Sequence, residues 1–187
     1  MSGHRRGEWR GKGLVVDPRD GRQRTVWLDV IAQEPDRLRL DVTATLGTYV
    51  GTFVSSDGRF TWLSALEKRF VTGAADSAAA RALLRLPIGP GDIIALLFDS
   101  PLGKSWSCSE TSASGARRCE NAGDQATVEI SRDGEARKLL IRPFEQALAT
   151  QLRLEPSQMN GQSNGQSKDE PFVLVRPRGF ADVSVSP

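Results

Sequence analysis

Between Arg81 and Phe98 the chain reads RALLRLPIGPGDIIALLF, an aliphatic run broken at its centre by Pro87, Gly89, Pro90 and Gly91. A helix that crosses a bilayer needs about 20 continuous apolar residues, so this run is too short and too interrupted to span one. Pro87 lacks an N–H and disfavours helix at the residue before it, which predicts two short helices with a Pro/Gly connection. Asp76 or Ser77 is placed to cap the first, and Ala78–Arg85 continues it with good helix formers. Gly91 or Asp92 starts the second, with Ile93, Ile94 and Leu97 on one face and Leu96 and Phe98 widening the arc. An arc that broad exceeds the stripe a surface helix needs. It asks for an apolar partner, either a sheet's concavity or the face of an ordinary helix-on-sheet core.

The rest of the chain supplies one. Strand patterns run at Glu8–Val16, Thr25–Gln33, Arg37–Thr43, Thr48–Ser55, Phe60–Ser64, Lys68–Thr72, Ser105–Ser109, Thr127–Ser131, Ala136–Arg142, Leu148–Leu154 and Phe172–Arg176, about ten strands in all. Asp57-Gly58 and Asp133-Gly134 are two-residue hairpin signals between flanking strands, and Asp17-Pro18-Arg19-Asp20-Gly21 is a longer turn. In Arg37–Val42, Leu38, Leu40 and Val42 point one way while Arg37, Arg39 and Asp41 point the other. Such alternation fits a curved antiparallel sheet whose concave side is covered and whose convex side stays in water. The expected fold is mainly β with a helical lid (α+β), two short helices set over the mouth of an antiparallel barrel. All 187 residues are expected to form one domain, with 1–7 a flexible tail, 76–98 the lid and 161–170 (GQSNGQSKDE) an exposed loop.

Charge and chemistry narrow the function. A net charge of +2 implies no field on the scale of a nucleic-acid binder. Basic residues cluster at His4, Arg5, Arg6, Arg10 and Lys12, either as a solvated tail or as a weak attraction to anionic headgroups, about 1 kcal/mol per basic residue. No apolar signal segment follows Met1, so the chain is either cytoplasmic or written without an export segment. His4 is the lone histidine, which leaves no His-based triad and, with two cysteines, no four-ligand zinc site. No phosphate loop or zinc-protease motif is present. The reading is therefore no enzyme, no metal and no cofactor. Cys108 and Cys119 flank SETSASGARR and fit opposite strands of one hairpin, as a disulfide or as two free thiols.

The order of these pieces resembles the outer-membrane lipoprotein receptor LolB and its relatives, of the LolA/LolB lipoprotein-carrier fold. The resemblance lies in PDRLRLDVTATLGTYVGTF (Pro35–Phe53), in DGRFTWLSALEKRFVTG ending at Gly73, and in LLRLPIGPGDIIALLFDSP, which is similar to the family's helix, LPI turn and second helix. It spans most of residues 25–105, and the late FVLVRPRGF is compatible but less specific. The resemblance implies a half-open, strongly curved antiparallel β-barrel of about ten strands whose hydrophobic cavity, covered by the short helices, holds lipoprotein acyl chains or another lipid and is lined by Leu38, Leu40, Val42, Phe53, Trp62, Leu83, Leu84, Ile93, Ile94 and Leu97. It implies an envelope protein anchored at the outer membrane, facing the periplasm, that receives cargo from a periplasmic carrier protein, works on the inner leaflet of the outer membrane, and is a monomer. It also implies that Leu46 is the protruding, membrane-inserting residue, although Thr45 stands where the family often has proline. The lipidated N-terminal cysteine of the family does not occur near the start of this sequence. The rival expectation is an envelope assembly or regulatory module on the same fold with a filled core and no lipid. Trp27, Trp62, Trp106, Phe53 and Phe60 are the residues that would either line the cavity or plug it.

Overall fold

A computed structural model describes residues 5–16, 20–76, 78–111, 115–123, 125–143, 149–157 and 170–185. Six strands come first: β1 (Arg6–Val16), β2 (Gln23–Gln33), β3 (Arg37–Ala44), β4 (Tyr49–Ser56), β5 (Arg59–Ser64) and β6 (Arg69–Ala74). Helices α1 (Ala78–Leu84) and α2 (Pro90–Phe98) follow. Then come β7 (Trp106–Thr111), β8 (Ala116–Asn121), β9 (Ala126–Asp133), β10 (Ala136–Pro143) and β11 (Thr150–Pro156). A 3₁₀ turn at Glu170–Phe172 leads to β12 (Ala181–Ser184). The strands make one open, curved sheet in the order β12-β6-β5-β4-β3-β2-β1-β11-β10-β9-β8-β7. All neighbours are antiparallel except β12 on β6.

The alternating residues meet on the concave face. Val30 and Leu40 oppose each other across β2 and β3, and the row continues through Phe53, Trp62 and Val71 on β4, β5 and β6. Val128, Ile141, Leu139 and Leu152 build the other wall, and α2 adds Ile93, Ile94, Leu96 and Leu97 to the same cluster. Full burial of one such side chain is worth about 1.5–3 kcal/mol. Glycine lets the strands draw this close: a Cβ at Gly11 would sit 1.8 Å from the Arg153 carbonyl oxygen on β11. Gly73 similarly leaves room for the Phe60 ring, which would lie 2.7 Å from a Cβ there.

Several expectations change. The convex face is not wholly wet: Thr52 and Val54 on the outer side of β4 are buried, and the 3₁₀ turn packs against β3 and β4. Arg39 donates to the Pro171 carbonyl at 3.1 Å, and Arg37 lies over the Phe172 ring at 5.9 Å. Phe172–Arg176 is therefore no strand. It is a turn and an irregular stretch that leads to β12, for which ADVS gave no local signal. Residues 5–7 are not a tail either, because Arg5 pairs with Glu34 at 2.6 Å and Arg6 and Gly7 belong to β1. Helix α2 begins at Pro90 behind Gly89, one to two residues earlier than expected, since proline at the first helical position sacrifices no needed N–H. Ser77, residues 1–4, Asp17–Arg19, Leu148 and residues 161–169 lie outside the described residues.

Candidate functional site

Helix α2 lies with its apolar arc against the concave wall and is fastened at both ends. At its start the Asp92 carboxylate accepts from the Gly89 N–H at 3.3 Å and from the Trp106 indole N–H at 3.1 Å. That second bond ties the helix to the edge strand β7. At its end Asp99 caps the helix in the left-handed region (φ 54°) and is bridged to Arg137 at 2.5 Å and to Arg132. Burial pushes the Asp99 carboxyl up, but the hydrogen bonds and charges of Arg137 and Arg132 outweigh it and hold the group below its usual value. Arg5 completes the clamp by donating to the Phe98 carbonyl at 2.9 Å while pairing with Glu34. The Phe98 ring packs edge-on to Trp9 with centroids 5.2 Å apart. Helix α2 is held by a handful of polar contacts at its ends and by apolar burial along its length.

The connection between the helices is itself anchored. Leu86 and Ile88 are buried, so the LPI turn is inserted in the core and not suspended above it. The sequence pattern reads this turn only as a Pro/Gly connection between helices. The cue it overlooked is that Leu86 and Ile88 alternate about Pro87 as core residues do in an extended segment.

The expected cavity residues fall in two groups. Leu38, Leu40, Phe53, Ile93, Ile94 and Leu97 are buried together, while Val42, Trp62, Leu83 and Leu84 are half-buried and pack against them. Phe53 and Phe60 stack at 5.6 Å, and with Leu38, Leu96 and Leu97 they are fully buried in the cluster that sheet and helices share. A recess beside α2 holds about 690 Å³ and opens to solvent where Gly89–Asp92, Ile94 and Ala95 face Glu34–Asp36, Ser55 and Gly58. Trp106 is half-buried and bonded to the lid. Trp27 faces outward under the Lys12 ammonium, 4.4 Å from the ring centroid, and neither lines nor plugs the interior.

Leu46 stands at the tip of the β3–β4 loop with 96% of its surface exposed. The loop is tight: Gly47, at φ 79°, donates its N–H to the Ala44 carbonyl, and the Thr45 hydroxyl donates to the Thr25 carbonyl at 2.9 Å. The hydroxyl supplies an attachment to β2 that a proline at this position would lack. Hairpin loops of an antiparallel meander alternate between its two ends, so the Leu46 loop lies opposite the Pro35 and Gly58 turns that border the recess. Leu66, on the β5–β6 loop at the same end, is also exposed. Sequence reasoning passed over it, because a single leucine in a turn carries no periodic signal.

Cys108 and Cys119 are directly opposed on β7 and β8 and joined as a disulfide. Among the described residues no three His, Cys, Asp or Glu side chains gather as a metal site, and no helix is long and apolar enough to cross a membrane. Comparison with protein-family models and with curated proteins gives no match for this chain.

Proposed function

We propose that the protein binds the acyl chains of lipoproteins, or of another lipid, beneath the α1–α2 lid and passes them to the inner leaflet of the outer membrane. The observation that carries this reading is the lid itself: a broad apolar arc laid on a concave apolar wall and fastened at its ends by a few polar contacts. Energetics make an exchange workable. Lifting Ile88, Ile93, Ile94, Leu96 and Leu97 into water would cost on the order of 10 kcal/mol. Burying an acyl chain of about 16 methylenes at about 0.8 kcal/mol each returns a similar amount. A carrier needs that near-balance, because each 1.4 kcal/mol of difference biases handover about tenfold. The lipid takes the place of the lid's own side chains, so the closed form has no need of a large empty cavity.

No bond is made or broken in this function, so it calls on no acid–base pair, nucleophile or cofactor. The disulfide agrees with an oxidising compartment such as the periplasm, where a periplasmic carrier would be the donor. Leu46 would enter the acyl region during delivery, its loop free of charge from Val42 to Val50. A second reading, an envelope interaction module with a permanently filled core, draws on the complete burial of Phe53 and Phe60.

Native mass spectrometry and lipid extraction of the purified protein, with titration of a fluorescent fatty acid, separate the two. The carrier should yield bound acyl lipid or saturable uptake. Neither being found overturns it and leaves the filled-core module.

A further inference from the structure

We infer that the end of the sheet opposite the lid is a two-point docking surface for anionic phospholipid bilayers, with Leu66 and Lys68 as a second contact beside Leu46. This extends the reading of Leu46 given above and rests on it in part. A single exposed leucine is ordinary. Here two leucines, 96% and 61% exposed, occupy the loops of adjacent hairpins at one end of the sheet. The hairpins are joined directly, since the Ala65 N–H donates to the Val50 carbonyl at 3.0 Å. Leu66 and Tyr49, which is 42% exposed, are the next residues out along each strand.

The second loop is held as firmly as the first. The Glu67 N–H donates to the Ser64 hydroxyl at 3.2 Å, and the Lys68 carbonyl accepts from the Ala181 N–H at 2.9 Å. Both leucines are thus presented on fixed backbone, so little ordering entropy is lost when they enter a membrane. The flanking charge fits an anionic surface. Arg69 is paired with Glu67 at 3.5 Å, which leaves Lys68 as the local excess cation, and Lys68 has no ion pair among the described residues. Tyrosine beside leucine at such a surface is the amphipathic ring expected at headgroup level. Moving one leucine side chain from water into acyl chains favours binding by at least about tenfold, and one basic residue at an anionic surface adds roughly fivefold.

The test is sedimentation of the full chain with phosphatidylcholine vesicles, with and without phosphatidylglycerol, alongside fatty-acid uptake and thermal melting. Binding should be tighter to the phosphatidylglycerol vesicles and weaken with salt. Leu66→Glu should lower it by about tenfold or more at an unchanged melting temperature, and Lys68→Glu should remove most of the preference for anionic lipid. Equal binding of Leu66→Glu and the native chain, or equal binding to both vesicle types, overturns the inference. Docking that depends on Leu66 in a protein that takes up no fatty acid would uphold the surface and sink the carrier. Uptake without Leu66-dependent docking would do the reverse.

Discussion

The two ends of the curved sheet treat their apolar side chains in opposite ways. At the helical end Ile88, Ile93, Ile94, Leu96 and Leu97 are driven into the interior, and charged groups (Asp92, Asp99, Arg5, Arg137) sit at the margins and fix the ends of α2. At the loop end Leu46 and Leu66 stand in solvent on hydrogen-bonded turns, and nothing in the fold among the described residues covers them. One end stores apolar surface and the other displays it. Burial stabilises the fold; exposure of these two leucines does nothing for it.

That contrast can be broken by mutation. Leu97→Ala, which opens a hole between lid and sheet, should cost about 2–5 kcal/mol in urea denaturation, whereas Leu46→Ala should stay within about 0.5 kcal/mol. Similar losses at the two sites would end the distinction. Replacing Cys108 and Cys119 together with serine removes a cross-link over 11 residues and should lower stability by about 3 kcal/mol on the loop-entropy account, read by the same method. Because β7 carries Trp106, which holds Asp92, that double variant should also loosen the start of α2 in hydrogen exchange.

Acid should loosen its other end. The Asp99 carboxyl is held below its ordinary value of 3.8, so its contribution is complete above that pH and is lost as pH falls through the lower folded value. Protection of the α2 amides, taken relative to their intrinsic exchange rates, should therefore fall below about pH 4, and Asp99→Asn should flatten that dependence. A pH profile unaltered by the substitution would assign the effect to other carboxylates. The smallest effect on stability is expected at Leu46→Glu, which should leave melting and fatty-acid uptake unchanged while reducing delivery to membranes in a transfer assay.

Local signals in the sequence carried the meander well. Asp57-Gly58 is a two-residue turn with both residues at positive φ, as the pair predicts. Asp133-Gly134 is offset by one: Gly134 and Glu135 form the turn, and Asp133 ends β9 opposite Ala136, where its carboxylate meets Lys138 and Arg153. The two helices were legible from Pro87 and the good helix formers, to within a residue or two at each start. What failed were features set by distant partners. Ala181–Ser184 is a strand only because β6 offers it an edge, and four residues of ADVS have no periodicity to read. Thr52 and Val54 both fall on the outer side of β4, where alternation predicts exposure, yet both are buried, and residues 170–172 return across β3 and β4. The candidate site was partly legible for the same reason. Its apolar lining follows from strand alternation, but the plugging of the LPI turn and the exposure of Leu66 depend on how the hairpins stack.

The parallel strand β12 has a consequence for how the chain is made. Its partner β6 is synthesised early, but the edge of β6 stays bare until the final strand emerges, an interval on the order of ten seconds at ordinary translation rates. A bare edge is a template for pairing with the wrong chain. Folding of this protein is therefore sealed from its C-terminal side, and a defect in β12 would show first as lost yield and aggregation in newly made chains, before any change in the properties of molecules that had already closed.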